Sequence, residues 1–179
     1  MMKALVKYVC RFLATPWRLC KQHKYRDGHG DIVQRTEIAN EILLPMVREA
    51  IGEGNTCSIY VKGYSMRPFL EHLRDQVDLA PVGDLHVGDA VLAEITPLHF
   101  VLHRIIAIDG EHITLMGDGN IRGTEHCRRC DVCGIVTQYI RPGGHIIRAS
   151  DPRLRRRIRL WRRLLPLRRY LLFIYKLSV

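Results

Sequence analysis

Apolar and polar positions follow two different periods along this chain, and the switch between them divides it. Between residues 36 and 52, Ile38, Ile42, Leu43, Met46, Val47 and Ala50 recur at the spacing of a helix face. Thr36 stands as a candidate cap, and Gly52 and Gly54 close the segment. From residue 57 the period falls to two. Runs rich in β-branched residues occupy 57–63, 76–82, 89–95, 100–108, 112–118 and 133–141. Gly/Asp turn signals separate them, among them Val87-Gly88-Asp89 and Asp109-Gly110. The pattern predicts a mainly β fold, an antiparallel β domain with one helix before it. Ile108-Asp109-Gly110-Glu111 predicts its tightest hairpin.

The two ends carry a different pattern. In residues 1–21, Leu5, Val9, Phe12 and Leu13 share one helical face with Lys3, Lys7 and Arg11 outside it, which predicts a short amphipathic helix ending near Pro16. Lys7 and Arg11 interrupt the apolar run that an export signal needs. Residues 23–35 are polar with Gly28 and Gly30, and read as a linker. In residues 153–177, Leu154, Ile158, Trp161 and Leu165 form a stripe, while Arg155, Arg156, Arg159, Arg162 and Arg163 lie mostly away from it. This predicts a basic amphipathic C-terminal helix, broken at Pro166. The expected plan is therefore a basic N-terminal segment and linker (1–35), a β domain with its preceding helix (36–150), and a basic tail (151–179).

Charge sharpens this plan. Residues 1–26 hold seven Lys/Arg and no acid, residues 27–150 hold eleven against seventeen Asp/Glu, and residues 151–179 hold ten against Asp151 alone. The net charge of +10 thus belongs to the two ends, not to the β domain. A compact nucleic-acid-binding domain carries such charge on itself, so no nucleic-acid partner is expected. Basic, apolar-interleaved ends fit an anionic membrane surface, through residues 1–21 and 153–177, with Trp161, Tyr170 and Tyr175 at headgroup depth. The competing reading is a tail helix packed on the β domain with solvated arginines. The apolar run from Tyr170 to Tyr175 is too short to span a bilayer, so the chain is expected to be cytoplasmic or peripheral on a membrane. Six cysteines are too few for a secreted disulfide scaffold of this length, which favours a reducing compartment.

The candidate chemistry lies in Gly63-Tyr64-Ser65-Met66-Arg67-Pro68. A nucleophilic serine needs an exposed hydroxyl at a strand end and a backbone N–H facing the substrate carbonyl. Gly63 permits a sharp turn before Ser65, and Pro68 fixes the backbone after it. Alone, this motif is equally that of an ordinary turn serine.

Its neighbours make it more specific. Gly63 to Pro68, then Arg74-Asp75-Gln76-Val77, Val87-Gly88-Asp89-Ala90-Val91-Leu92, Val101-Leu102-His103-Arg104-Ile105 and Met116-Gly117-Asp118-Gly119-Asn120 follow one another in order. This succession, covering about 61–140, resembles the signal peptidase I and LexA-type serine peptidase superfamily. The resemblance implies a LexA/signal-peptidase-like antiparallel β fold and a catalytic serine at Ser65. Typical bacterial members place a Lys on the basic strand; His103 stands here, as in the archaeal and endoplasmic-reticulum type. The resemblance makes His103 the general base and Asp118 an orienting or structural acid. It places Gly63, Tyr64, Met66 and Pro68 at the substrate or oxyanion side. Histidine titrates near neutrality and so serves as a base without the desolvation a lysine requires. Two departures stand out. Gly63 occupies the position of a hydroxyl-bearing oxyanion donor, and Glu71-His72-Leu73 replaces the usual turn glycine.

Cys127, Cys130 and Cys133, with His126, have the spacing of zinc ligands, of redox thiols, or of incidental cysteines. No metal and no cofactor is assigned. The expected activity is that of a serine endopeptidase of signal-peptidase type, acting on a peptide or preprotein near a membrane surface. The alternatives are a self-cleaving LexA-type regulator, for which the 55 or so residues before the β domain are short, and a catalytically idle peptide-binding module. With the chemistry confined to 63–118, the tail is expected to be dispensable for cleavage of short peptides.

Overall fold

Valine, isoleucine and leucine at alternate positions need a sheet with one face covered, and that is how the second half of the chain folds. The structure, a computed structural model, describes residues 20–26 and 32–178. It falls into two units, Met1–Leu43 and Leu44–Val179. In the first unit, β1 (Cys20–Arg26) pairs antiparallel with β2 (Ile32–Ile38), from Cys20 opposite Ile38 to Arg26 opposite Ile32. A hairpin thus stands where the polar composition of 23–35 predicts a linker. The alternation in Ile32-Val33-Gln34-Arg35-Thr36-Glu37-Ile38 is short and mostly polar, so pairing rather than pattern makes the strand. Thr36 is consequently a strand residue, and helix α1 begins later, at Asn40–Gly52. The amphipathic segment expected in residues 1–21 lies outside the described residues except for Cys20 and Lys21, which belong to β1.

The second unit is built on one antiparallel sheet. Its strands are β3 (Cys57–Tyr60), β4 (Gln76–Ala80), β5 (Ala90–Thr96), β6 (His99–Asp109), β7 (His112–Met116), β8 (Glu125–Arg128), β9 (Val132–Ile140) and β10 (Ile146–Arg148). They are ordered β3-β4-β9-β5-β6-β7-β8, with β10 also on β9. All six predicted runs are strands. Two more, β8 and β10, are too short and too poor in β-branched residues to stand out in the sequence. Val91, Ala93, Ile105, Ile113, Leu115, Cys127 and Val132 form the core on one face of β5–β9. Gly110 at the β6–β7 hairpin takes φ +54°, a left-handed conformation open to glycine. At Gly134 a Cβ would lie 2.7 Å from Ile51 Cδ1, so only glycine lets the buried end of α1 rest on β9.

The tail forms α2 (Pro152–Arg163), a single 3-10 turn at Leu165–Leu167 and α3 (Arg168–Ser178), with the break at Pro166 as the sequence predicts. Asp151 caps α2 by accepting from the N–H groups of Arg153 (2.7 Å) and Leu154 (3.2 Å), with Pro152 in the first turn where no N–H is needed. Most of the stripe assigned to a membrane faces inward instead, while Leu165 at its end is exposed. Leu154 and Ile158 are buried, and the Trp161 indole N–H donates to the Asp118 carbonyl at 2.8 Å. The Arg155 guanidinium meets Asp89 (2.9 Å), Arg162 donates to the Ile106 carbonyl (3.0 Å), and the Tyr175 hydroxyl donates to Glu71 (3.1 Å). The tail is thus joined to the β domain at these points. No helix among the described residues is long and apolar enough to cross a membrane.

Candidate active site

Ser65 lies in the turn between β3 and β4, and hydrogen bonds pin that turn from several sides. Val61 N–H donates to the Asp75 carbonyl (3.0 Å) and Leu73 N–H to the Val61 carbonyl (2.8 Å). Gly63, at φ +104°, sends its N–H to His72 Nδ1 at 2.8 Å. The enclosed Asp75 carboxylate accepts from the Glu71 N–H (2.8 Å) and from the Arg74 and Arg141 guanidinium groups. His72 and Glu71, which replace the expected turn glycine, are therefore structural members of this turn.

The Ser65 carbonyl accepts the Gly119 N–H at 2.7 Å. Neither Gly117 nor Gly119 has room for a side chain. A Cβ on Gly117 would sit 2.5 Å from the Ser65 carbonyl oxygen, and one on Gly119 would sit 2.6 Å from that of Tyr64. Glycine at both positions is what lets the loop after β7 lie against the serine. Ser65 itself is half-buried. Neither its N–H nor its hydroxyl has a hydrogen-bond partner among the described residues, His103 included. The N–H is thus available to an oxyanion.

Strand β6 supplies two adjacent side chains to opposite faces. Arg104 is 1% exposed and takes Asp118 through a fork: Nε donates at 2.8 and 3.0 Å and a terminal nitrogen at 2.6 Å. Its other terminal nitrogen donates to the Gly88 carbonyl at 2.8 Å. Burial opposes the charge on Arg104, but Asp118, helped by Tyr139, outweighs it and raises the guanidinium pKa above its ordinary value. Arg104 thereby fastens the Gly88-Asp89 turn and the Gly117–Asn120 loop, and the latter holds Ser65.

His103 points the other way, to the face shared by Ile105, Leu115 and Glu125 in the strand register. Its Nδ1 lies 2.9 Å from Glu125 Oε2, and the histidine side chain is 8% exposed against 30% for the carboxylate. A carboxylate only accepts, so the proton belongs on Nδ1 and the lone pair on Nε2, the tautomer a general base requires.

These contacts give Asp118 the structural one of its two expected roles. Asp118 gives both oxygens to Arg104 and none to His103, because a guanidinium fork enclosed beside it matches a carboxylate better than an imidazole does. The carboxylate on His103 is Glu125, which the sequence reading missed along with its strand. The faint signal was Gly123-Thr124 followed by the alternation of Glu125, His126, Cys127 and Arg128. Met66 is 1% exposed, so its side chain is core rather than substrate contact. Tyr64 is 57% exposed with the Arg67 guanidinium 4.1 Å over its ring, and Pro68 is half-buried after a cis peptide bond.

Cys127 is buried on β8 while His126 faces outward toward Thr114 and Thr124, so the two neighbours diverge. Burial pushes the Cys127 and Cys133 thiols up to about 11, which keeps both protonated at neutral pH. Among the described residues no three His, Cys, Asp or Glu side chains converge as metal ligands. No family model matches this chain, and no curated protein matches it significantly.

Proposed function

We propose that this protein is a serine endopeptidase acting on a peptide or preprotein, with Ser65 as nucleophile, His103 as general base and Glu125 as the carboxylate that orients the base. The observation that carries the reading is the 2.9 Å contact between His103 Nδ1 and Glu125, on a strand whose next residue secures the loop against Ser65. In the first half-reaction Ser65 Oγ attacks the scissile carbonyl carbon and its proton passes to His103 Nε2. The imidazolium so formed is stabilised by Glu125. The Ser65 N–H donates to the developing oxyanion. His103 then returns the proton to the leaving amine as the carbon–nitrogen bond breaks. A water, deprotonated by the same nitrogen, then attacks the acyl carbon; the carbon–Oγ bond breaks, and the imidazolium returns the proton to Ser65 Oγ as the carboxylic acid leaves. Gly63 offers no side-chain donor, so this site works with backbone donors on its serine side.

The test is labelling of the purified full chain with a fluorophosphonate probe, followed by cleavage assays on a peptide library. Labelling that disappears in Ser65→Ala, with loss of cleavage, supports the reading. Unchanged labelling and cleavage in that variant refutes the nucleophile, and a folded wild type that neither labels nor cleaves leaves a peptide-binding module as the better account.

A further inference from the structure

We propose that the outward face of α3 is a docking surface for an anionic lipid bilayer. The helix carries two apolar faces. Leu172 is buried, with the buried Arg168 one turn before it donating to the Asn120 carbonyl at 2.8 Å. The opposite face is Tyr170, Phe173, Ile174 and Leu177, at the i, i+3, i+4, i+7 spacing of a helical stripe. These four are 61–75% exposed, and Leu167, just before the helix, is 52% exposed. This is not the stripe that the sequence pattern nominated, since Leu154 and Ile158 are consumed by the fold.

Charge selects the occupant. From Pro152 to the last residue the chain has no acidic side chain. Arg155, Arg162 and Arg168 are engaged with the β domain, whereas Arg169 and Lys176 are exposed beside the apolar stripe on α3 and Arg159 and Arg163 are exposed on the preceding α2. A convex apolar ridge flanked by cations fits the boundary between acyl chains and anionic headgroups, where aromatic and aliphatic side chains enter shallowly and basic ones stay at the phosphates. Tyr170 suits headgroup depth. Tyr175, by contrast, donates inward to Glu71, which Arg67 also holds. Docking through this face would therefore bring the turn that carries Ser65 close to the membrane.

The experiment is vesicle flotation of the full chain, with mixed phosphatidylglycerol/phosphatidylcholine vesicles compared with phosphatidylcholine alone. The expected result is flotation with the anionic vesicles at low salt, weakened at high salt as screening grows. The exposed double substitution Phe173→Glu/Ile174→Glu is expected to reduce the bound fraction roughly tenfold or more without changing the thermal midpoint. In Phe173→Trp, the new tryptophan is expected to shift its emission to the blue and be quenched by brominated lipid. Absence of flotation in the wild type overturns the proposal. So does undiminished flotation of the double variant, which would place binding elsewhere in the chain. A solution dimer that the double variant dissolves, with no vesicle binding, would assign the face to a second copy and also overturn it. Vesicle binding is independent of fluorophosphonate labelling, so either reading can fail alone.

Discussion

Two acid–base pairs sit on neighbouring residues of β6, and they differ in surroundings rather than in kind. Arg104 and Asp118 are 1% and 2% exposed and share a bidentate contact; His103 meets Glu125 through one nitrogen, with the carboxylate 30% exposed. An enclosed guanidinium–carboxylate fork cannot give up its proton at any working pH, and removing either partner leaves a charge without water. It is suited to holding loops. An imidazole whose Nδ1 meets a partly solvated carboxylate presents its other nitrogen as a possible proton acceptor. Under the proposed function it is the pair that moves a proton. Strand alternation makes this division of labour available at no extra length of chain.

The largest expected effect breaks the structural pair. Arg104→Met leaves Asp118 charged and enclosed, and urea denaturation is expected to show a loss of roughly 3–5 kcal/mol. The paired variant Arg104→Met/Asp118→Leu is expected to recover part of that loss, since no lone charge remains. Equal destabilisation of both would show that the pair's burial is not what matters.

The chemical pair is expected to respond in activity instead. His103→Ala is expected to lower kcat by roughly 10²–10⁴ with the folded state retained. Glu125→Gln is the sharper probe. An amide can donate to Nδ1 and so favour the wrong tautomer, and the expected loss in kcat is about tenfold or more with little change in KM. A Glu125→Gln enzyme with unaltered kcat would reduce Glu125 to a surface contact.

The Ser65 turn offers a test by pH. Burial alone would raise the Glu71 pKa, but its bonds to Arg67 and Tyr175 hold it below the ordinary carboxylate value. A depressed carboxylate contributes stability above its unfolded pKa, near 4.3, and loses it as pH falls through the lower folded value. Glu71→Gln is therefore expected to be about 1–2 kcal/mol less stable at neutral pH, with the gap closing as the medium is acidified below about pH 4. Denaturation midpoints across that range decide it; a gap independent of pH would mean the charge is irrelevant. The smallest effect is at the tail. Trp161→Phe removes the bond to the Asp118 carbonyl while keeping most of the ring contact with Phe69, and a loss of about 1 kcal/mol is expected. A matching fall in kcat would show that the tail tunes the loop behind Ser65.

The legibility of the sequence followed the range of the interactions. The six main strands and the break at Pro166 were readable because alternation, turn residues and a missing N–H act within a few residues. Strand β8 was not, because Glu-His-Cys-Arg carries no strand signal of its own and is held by pairing with β7. Glu125 was lost with it, and Asp118, named through the Gly-Asp-x-Asn block of the resemblance, carried both the orienting and the structural reading. The hairpin of β1 and β2 was read as a linker for the same reason. In the tail, the helix and its amphipathicity were plain, but pattern alone did not rank a membrane surface against the β domain as the partner of its stripe.

Local pattern alone therefore determined the mainly β architecture, the α1 helix and the basic tail helices, while Ser65 and His103 became candidates only through the ordered blocks that carry the family resemblance. Tertiary structure decided which carboxylate each base received and which face of the tail turned inward. Those choices depend on strand register and on burial, which join residues such as His103 and Glu125, or Trp161 and Asp118, that are far apart in the chain. For the main strands and helices a residue's own neighbours set its secondary structure; its charge partner is set by what water is excluded from once the sheet has closed around it.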